Sequence, residues 1–189
     1  SQLSSYHFTS SEVHKNKVIS MLGSNKNAYN VGPLVIDGLL QLKPISKKEF
    51  ETKTGFSFSI NNFLITFHSE TLSKDFGLKG FLNLLEILER KDCSISILFT
   101  APNADLGSER IMNLIEKYLI TSKNKVFYIP SLGQELYLNA LMLFDCVIGN
   151  SSSGIIEAPL LKTKVINIGN RQKGRYRFGS IMDVSNDLE

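Results

Sequence analysis

Between Val147 and Pro159 the chain reads Val-Ile-Gly-Asn-Ser-Ser-Ser-Gly-Ile-Ile-Glu-Ala-Pro, an apolar run that ends in small polar residues and then turns helical. A strand stopping in such a loop leaves backbone N–H groups and hydroxyls at a helix N-terminus, whose partial positive charge suits an anion such as phosphate. Ser151 and Ser152 can offer both kinds of donor, and Ser153 and Gly154 complete the loop. A helix N-cap alone accounts for one serine. Three in a row between two glycines exceed that need. Glu157 follows Ser153 by about one helical turn, on the same end of the helix. It can accept from a pair of hydroxyls, or merely complement the helix dipole. Phosphate donors beside a carboxylate fit a nucleotide's diphosphate and ribose diol.

Other residues compete for chemical roles. His68 directly follows an apolar, β-leaning run and reads as a structural residue, a ligand or an acid/base group. Glu70 is its partner or a cap. Asn103 to Gly107 has turn chemistry that strand-to-helix geometry explains by itself. Residues 169–175, Gly-Asn-Arg-Gln-Lys-Gly-Arg, place Arg171, Lys173 and Arg175 in a Gly-bounded loop. Such a loop either closes over a phosphate with forked donors or is a solvated basic surface. His7, His14 and His68 lack zinc spacing, and no Walker loop, GxGxxG or Ser-His-Asp order occurs.

These residues need a scaffold, and residues 62–169 supply one by alternation. The pattern predicts strands at Phe63–Phe67, Ser94–Phe99, Lys125–Ile129, Cys146–Ile148 and Val165–Ile168. Between them it predicts helices at Gly77–Glu89, Ser108–Leu119, Gly133–Leu143 and Ser153–Leu161. Strands that are apolar on both faces belong in a parallel sheet covered on both sides. Repeated βα units define an α/β, doubly wound, Rossmann-like domain, in which ligands bind at the carboxyl ends of the strands. His68-Ser69-Glu70, Thr100 to Asp105, Pro130-Ser131 and Gly149 to Ser153 all fall on that edge. Upstream, Ser10 or Ser11 caps a helix that runs to Leu22 and stops at Gly23. Tyr29 to Pro33 reads as a strand ending in a turn. Residues 43–61, rich in Lys, Ser, Thr and Asn, read as an exposed connector or a loose helix.

Composition bounds the function classes. The net charge is +3, with the basic residues scattered, which does not point to nucleic acid. No apolar run approaches the roughly 20 residues of a membrane span, and the opening Ser-Gln-Leu-Ser-Ser-Tyr is not a signal peptide. Cys93 and Cys146 read as buried free thiols of a cytoplasmic protein.

Five ordered segments together resemble the C-terminal half of UDP-N-acetylglucosamine 2-epimerases. They are Asn30-Val31-Gly32-Pro33 with Asp37, Thr66-Phe67-His68, Pro102 to Asp105, Ile148 to Pro159, and Val165 to Arg175. Asn-Ser-Ser-Ser-Gly with Arg-Gln-Lys-Gly-Arg is most similar to the hydrolysing branch, which releases N-acetylmannosamine-type sugars for sialic or legionaminic acid synthesis. The resemblance implies one half of a two-domain, glycosyltransferase-B-type fold with its active site in the interdomain cleft. It implies residues 1–30 as a remnant of the N-terminal domain or crossover, and 31–189 as the nucleotide-binding domain. It implies Ser151, Ser152, Ser153 and Gly154 at the diphosphate, Glu157 at the ribose, and uracil near Ser131 to Glu135. Arg171, Gln172 and Arg175 would border the cleft, and His68 would face the sugar diphosphate as a catalytic residue. It further implies a UDP-sugar substrate, no cofactor or metal, a homodimer, and catalytic carboxylates in the other half. The parent reaction is elimination of UDP to a 2-acetamidoglucal, followed by water addition at the opposite face of C2. A glycosyltransferase half-domain and a non-catalytic nucleotide-binding domain remain open alternatives.

Overall fold

The structure is a computed structural model that describes residues 3–90 and 94–187. It divides into two compact units, one ending at Lys43 and the other beginning at Pro44. In the first, β1 (His7–Thr9) and β2 (Ala28–Asn30) pair in parallel through α1 (Glu12–Leu22). Ser11 caps α1 by accepting from His14 N, and Gly23 ends it at φ 67°, where a residue without a Cβ is unstrained. The α2 helix (Val35–Leu40) follows.

The second unit opens with α3 (Lys47–Thr54), capped by Ser46. Of the two readings of residues 43–61, an exposed connector or a loose helix, the helix holds over Lys47–Thr54, and its anchor is buried rather than exposed. Phe50 is fully buried, and its ring meets those of Phe56, Phe58 and Phe144. Burying one such ring stabilises by roughly 1.5–3 kcal/mol, so three aromatics outweigh the polar composition around them.

Six strands form an all-parallel sheet: β3 (Asn61–Thr66), β4 (Ile95–Phe99), β5 (Lys125–Tyr128), β6 (Cys146–Gly149), β7 (Lys164–Ile168) and β8 (Met182–Val184), in the order β5-β4-β3-β6-β7-β8. The periodicity located the first five and missed β8, a short strand of exposed residues. Helices α4 (Leu78–Arg90) and α5 (Ser108–Thr121) cover one face. There Phe81, Leu85, Ile111 and Ile115 pack with Ile65, Phe67, Ile97 and Phe99. The α6 helix (Gly133–Leu143) returns the chain to β6 on the other side of β3. Cys146, at the start of β6, is a buried free thiol whose burial raises its pKa to about 11. Cys93 lies outside the described residues. Among the described residues, no helix is long and apolar enough to cross a membrane.

The helix expected over Ser153–Leu161 is broken. A 3-10 turn spans Ser152–Gly154 and α7 spans Glu157–Leu160. Pro159 is the cause. It has no N–H to give the carbonyl four residues back, and its ring crowds that carbonyl. The carbonyl in question, Ile155 O, accepts instead from Phe178 N at 3.0 Å.

Candidate functional site

Because all six strands are parallel, their carboxyl ends share one edge. The order reverses between β3 and β6, which are neighbours whose chains leave in opposite directions along the sheet. Such a switch point opens a crevice between the two outgoing loops. Gly149 lets them meet: at φ 140°, its missing Cβ would sit 2.1 Å from Thr66 O. The next residue, Asn150, is completely buried and ties three loops together. Its Oδ1 accepts from His68 N at 2.7 Å, and its Nδ2 donates to His68 O at 2.8 Å. Its own carbonyl accepts from Gln172 Nε2 at 2.6 Å and Arg171 Nη1 at 3.3 Å.

His68 is 6% exposed, and its Nδ1 accepts from the backbone N–H of Asn103 at 2.9 Å. A backbone amide can only donate, so Nδ1 is unprotonated and the neutral ring carries its proton on Nε2. Burial, then the Arg171 charge, lowers the imidazole pKa to about 4, against a smaller opposing pull from Asp105. His68 thus offers a fixed N–H donor across the working pH range. A stability effect follows. Below about pH 6.5 the unfolded imidazole binds a proton that the folded one refuses until about 4, so stability falls as pH drops through this window. Denaturant titrations should show that slope in the native sequence and lose it in His68→Gln; an unchanged slope contradicts the assignment.

On the serine loop, Ser151 Oγ accepts from Ser153 N at 3.4 Å and from Ser153 Oγ at 3.1 Å. The Ser153 hydroxyl is also bonded to the phenol of Tyr137 in α6. Ser152 sits in the 3-10 turn, and its carbonyl accepts from Ile155 N and Ile156 N. Gly154 is buried; a Cβ there would touch Val165 Cγ1 at 3.4 Å. Glu157 begins α7 with its Oε2 buried and unpartnered, and burial raises its carboxyl pKa. A desolvated acceptor without a donor is costly, and a ligand hydroxyl would relieve it.

The basic loop splits by environment. Gln172 is completely buried, its amide spent on Asn150, while Arg171 is half-buried, its Nη2 3.9 Å from Asp105. Arg175 and Lys173 are exposed. With Ser69, Glu70, Asp105 and Arg171 they line an open cleft of about 820 Å³. Ser131 is exposed at the end of β5, and its Oγ accepts from Gly133 N at 3.2 Å. Asn150 therefore gathers His68, Arg171 and Gln172 beside the serine loop. Ser131 and Arg175 hold the same edge without bonding to that group.

Sequence reasoning missed two contributors. Asn150 stands inside the motif it singled out, where the flanking glycine and serines drew the attention. The hydroxyl of Tyr137 belongs to an element distant in sequence from the loop it serves, and no spacing rule reports it.

The comparisons bear on which family builds this edge. The model of the family described as UDP-N-acetylglucosamine 2-epimerase matches residues 1–189. The chain belongs to the UDP-N-acetylglucosamine 2-epimerase family. It is 34% identical to the GDP/UDP-N,N'-diacetylbacillosamine 2-epimerase (hydrolyzing) of Campylobacter jejuni, over 100% of this chain and 49% of the relative. It is 37% identical to the polysialic acid biosynthesis protein P7 of Escherichia coli, over 97% of this chain and 46% of the relative. The chain spans about half the length of these curated relatives and is consistent with their C-terminal half. The Methanocaldococcus jannaschii UDP-GlcNAc 2-epimerase solved in complex with UDP-GlcNAc and UDP shares the fold, with a TM-score of 0.69 at 21% identity over 98% of this chain and 52% of that one. The architecture is thus one half of a glycosyltransferase-B-type fold.

Proposed function

We propose that this chain is the UDP-sugar-binding half of a hydrolysing 2-epimerase that converts a UDP-linked 2-acetamido sugar into UDP and the free C2 epimer. The observation that carries the reading is the convergence of the loops after β3, β6 and β7 on Asn150 at the switch point. In this reading Ser151 to Ser153, with Gly154, hold the diphosphate, and Glu157 accepts from both ribose hydroxyls. The turn at Ser131 receives the uracil. Arg171 neutralises diphosphate charge from its seat beside Asn150, Gln172 keeps it there, and Arg175 closes from the exposed side.

The reaction begins as the C2 hydrogen leaves to a base and the C1–O bond breaks, its electron pair departing with UDP. The resulting glycal then adds water, with the new hydrogen on the opposite face of C2. Stabilising the departing diphosphate is the step this chain serves, because fixed donors aimed at developing charge lower such barriers. His68, with Nδ1 occupied and Nε2 protonated, donates a hydrogen bond to the diphosphate and cannot take the C2 proton. The base therefore comes from outside the His68 loop, and the 189-residue chain by itself is expected to bind UDP and leave UDP-sugars intact.

Product analysis in deuterium oxide tests the whole reading. The intact protein supplied with UDP-N-acetylglucosamine, or its 2,4-diacetamido counterpart, should release UDP and a free 2-epimer bearing deuterium at C2. A reversible UDP-linked epimer would move the protein to the non-hydrolysing branch, and a glycosylated acceptor would make it a transferase.

A further inference from the structure

A chain of hydroxyls beneath the serine loop plays no part in the roles assigned above. At the ends of β3 and β4, the Thr66 and Thr100 hydroxyls share a hydrogen bond of 2.7 Å. Separately from that pair, a second run starts at the phenol of Tyr137 in α6. That phenol bonds the Ser153 hydroxyl, which donates to Ser151 Oγ at 3.1 Å.

Each hydroxyl has a single proton, so one known direction orders the rest. Ser153 gives its proton to Ser151 and must therefore accept from Tyr137. The phenol proton is then committed to Ser153. Ser151 Oγ also accepts from Ser153 N at 3.4 Å. With two donors already aimed at that oxygen, its own proton must point away from the chain. Hydrogen bonds aligned in one sense polarise one another.

We propose that this relay fixes the Ser151 hydroxyl as an outward donor, with Tyr137 as the positioning residue that selects an oxyanion for the serine loop. The inference rests on the reading that this loop holds a diphosphate. A free hydroxyl rotor would serve donors and acceptors alike; an ordered one serves acceptors. Burial, with the Glu157 charge beyond it, holds the Tyr137 phenol above its ordinary range, which keeps the relay's proton in place on the alkaline side.

Tyr137→Phe removes only the phenolic oxygen. Titrations of the intact protein should show UDP and inorganic pyrophosphate weakened together by roughly 3- to 10-fold, the worth of one neutral hydrogen bond. Uridine binding should be unchanged. In a Ser151→Ala background Tyr137→Phe should add nothing. Equal losses in both backgrounds, or uridine weakened as much as UDP, would overturn the proposal. Proton NMR of the ligand-free protein judges the relay separately. A slowly exchanging Tyr137 hydroxyl signal should vanish in Tyr137→Phe and shift in Ser153→Ala, and an unshifted signal refutes the connection. If neither UDP nor pyrophosphate binds the unsubstituted protein, the diphosphate reading falls while the NMR result still decides the relay.

Discussion

Glu157→Ala is expected to weaken UDP binding on the order of 10²–10⁴-fold while leaving the ligand-free protein about as stable as before. The Glu157 carboxylate is partly desolvated, its Oε2 has no partner, and burial already disfavours its charge. In the empty protein its removal forfeits only the hydrogen bond from its own backbone N–H, which the relief of desolvation offsets. In the complex the balance reverses, because two ribose hydroxyls would supply the missing donors. Each hydrogen bond to a charged acceptor contributes about 1.5–3 kcal/mol, and two together give the stated loss. Pyrophosphate, which has no ribose, should bind Glu157→Ala unchanged. UDP affinity should also decline as pH falls into the raised titration range of this carboxyl, since protonation removes an acceptor. Calorimetry on the two ligands across pH checks all three points. Equal losses for UDP and pyrophosphate would move Glu157 off the ribose.

Gly149→Ala should be the most damaging single substitution on the binding edge. At φ 140° an L side chain is strained, and the added Cβ would lie 2.1 Å from the Thr66 carbonyl oxygen and 2.8 Å from its carbon. Both are backbone atoms of the neighbouring strand, so relief requires parting β3 from β6. Strain of this kind with local overpacking costs about 3 kcal/mol or more, or roughly 6–12 °C in Tm for a chain of this size. The displacement also carries Asn150 away from His68, so UDP affinity should fall with stability. Gly154→Ala is the matched control. Its Cβ would meet the side chains of Val165 at 3.4 Å and Val147 at 4.0 Å, both ordinary van der Waals contacts, and its Tm should shift little. Thermal unfolding of the pair decides the matter; similar shifts in both would mean that the β3–β6 approach is not the constraint.

What was legible in the sequence follows physical rules. The first five strands and three of their helices stood out because burial on both faces writes a continuous apolar run and burial on one face writes a helical period. The α3 helix stayed one of two readings because Phe50, Phe56 and Phe58 are scattered among lysines and threonines, and only the fold brings their rings together. The break after Gly154 was written in Pro159, since a helix through Ile156 would need the N–H that proline lacks. At the site, residue types near strand ends were legible and their partnerships were not. His68 and the serine loop were found as candidates, but the Asn103 N–H that fixes the imidazole tautomer lies 35 residues away. Gln172 was placed at the rim by the family resemblance, and the structure turns its side chain inward to Asn150.

The central claim, that this chain by itself forms a UDP site, is tested most directly by calorimetric titration with UDP, using GDP and inorganic phosphate as controls. The account predicts saturable UDP binding that is stronger than either control and is lost in Glu157→Ala and in Ser151→Ala/Ser152→Ala. No saturation at millimolar UDP, or a preference for GDP, would contradict it.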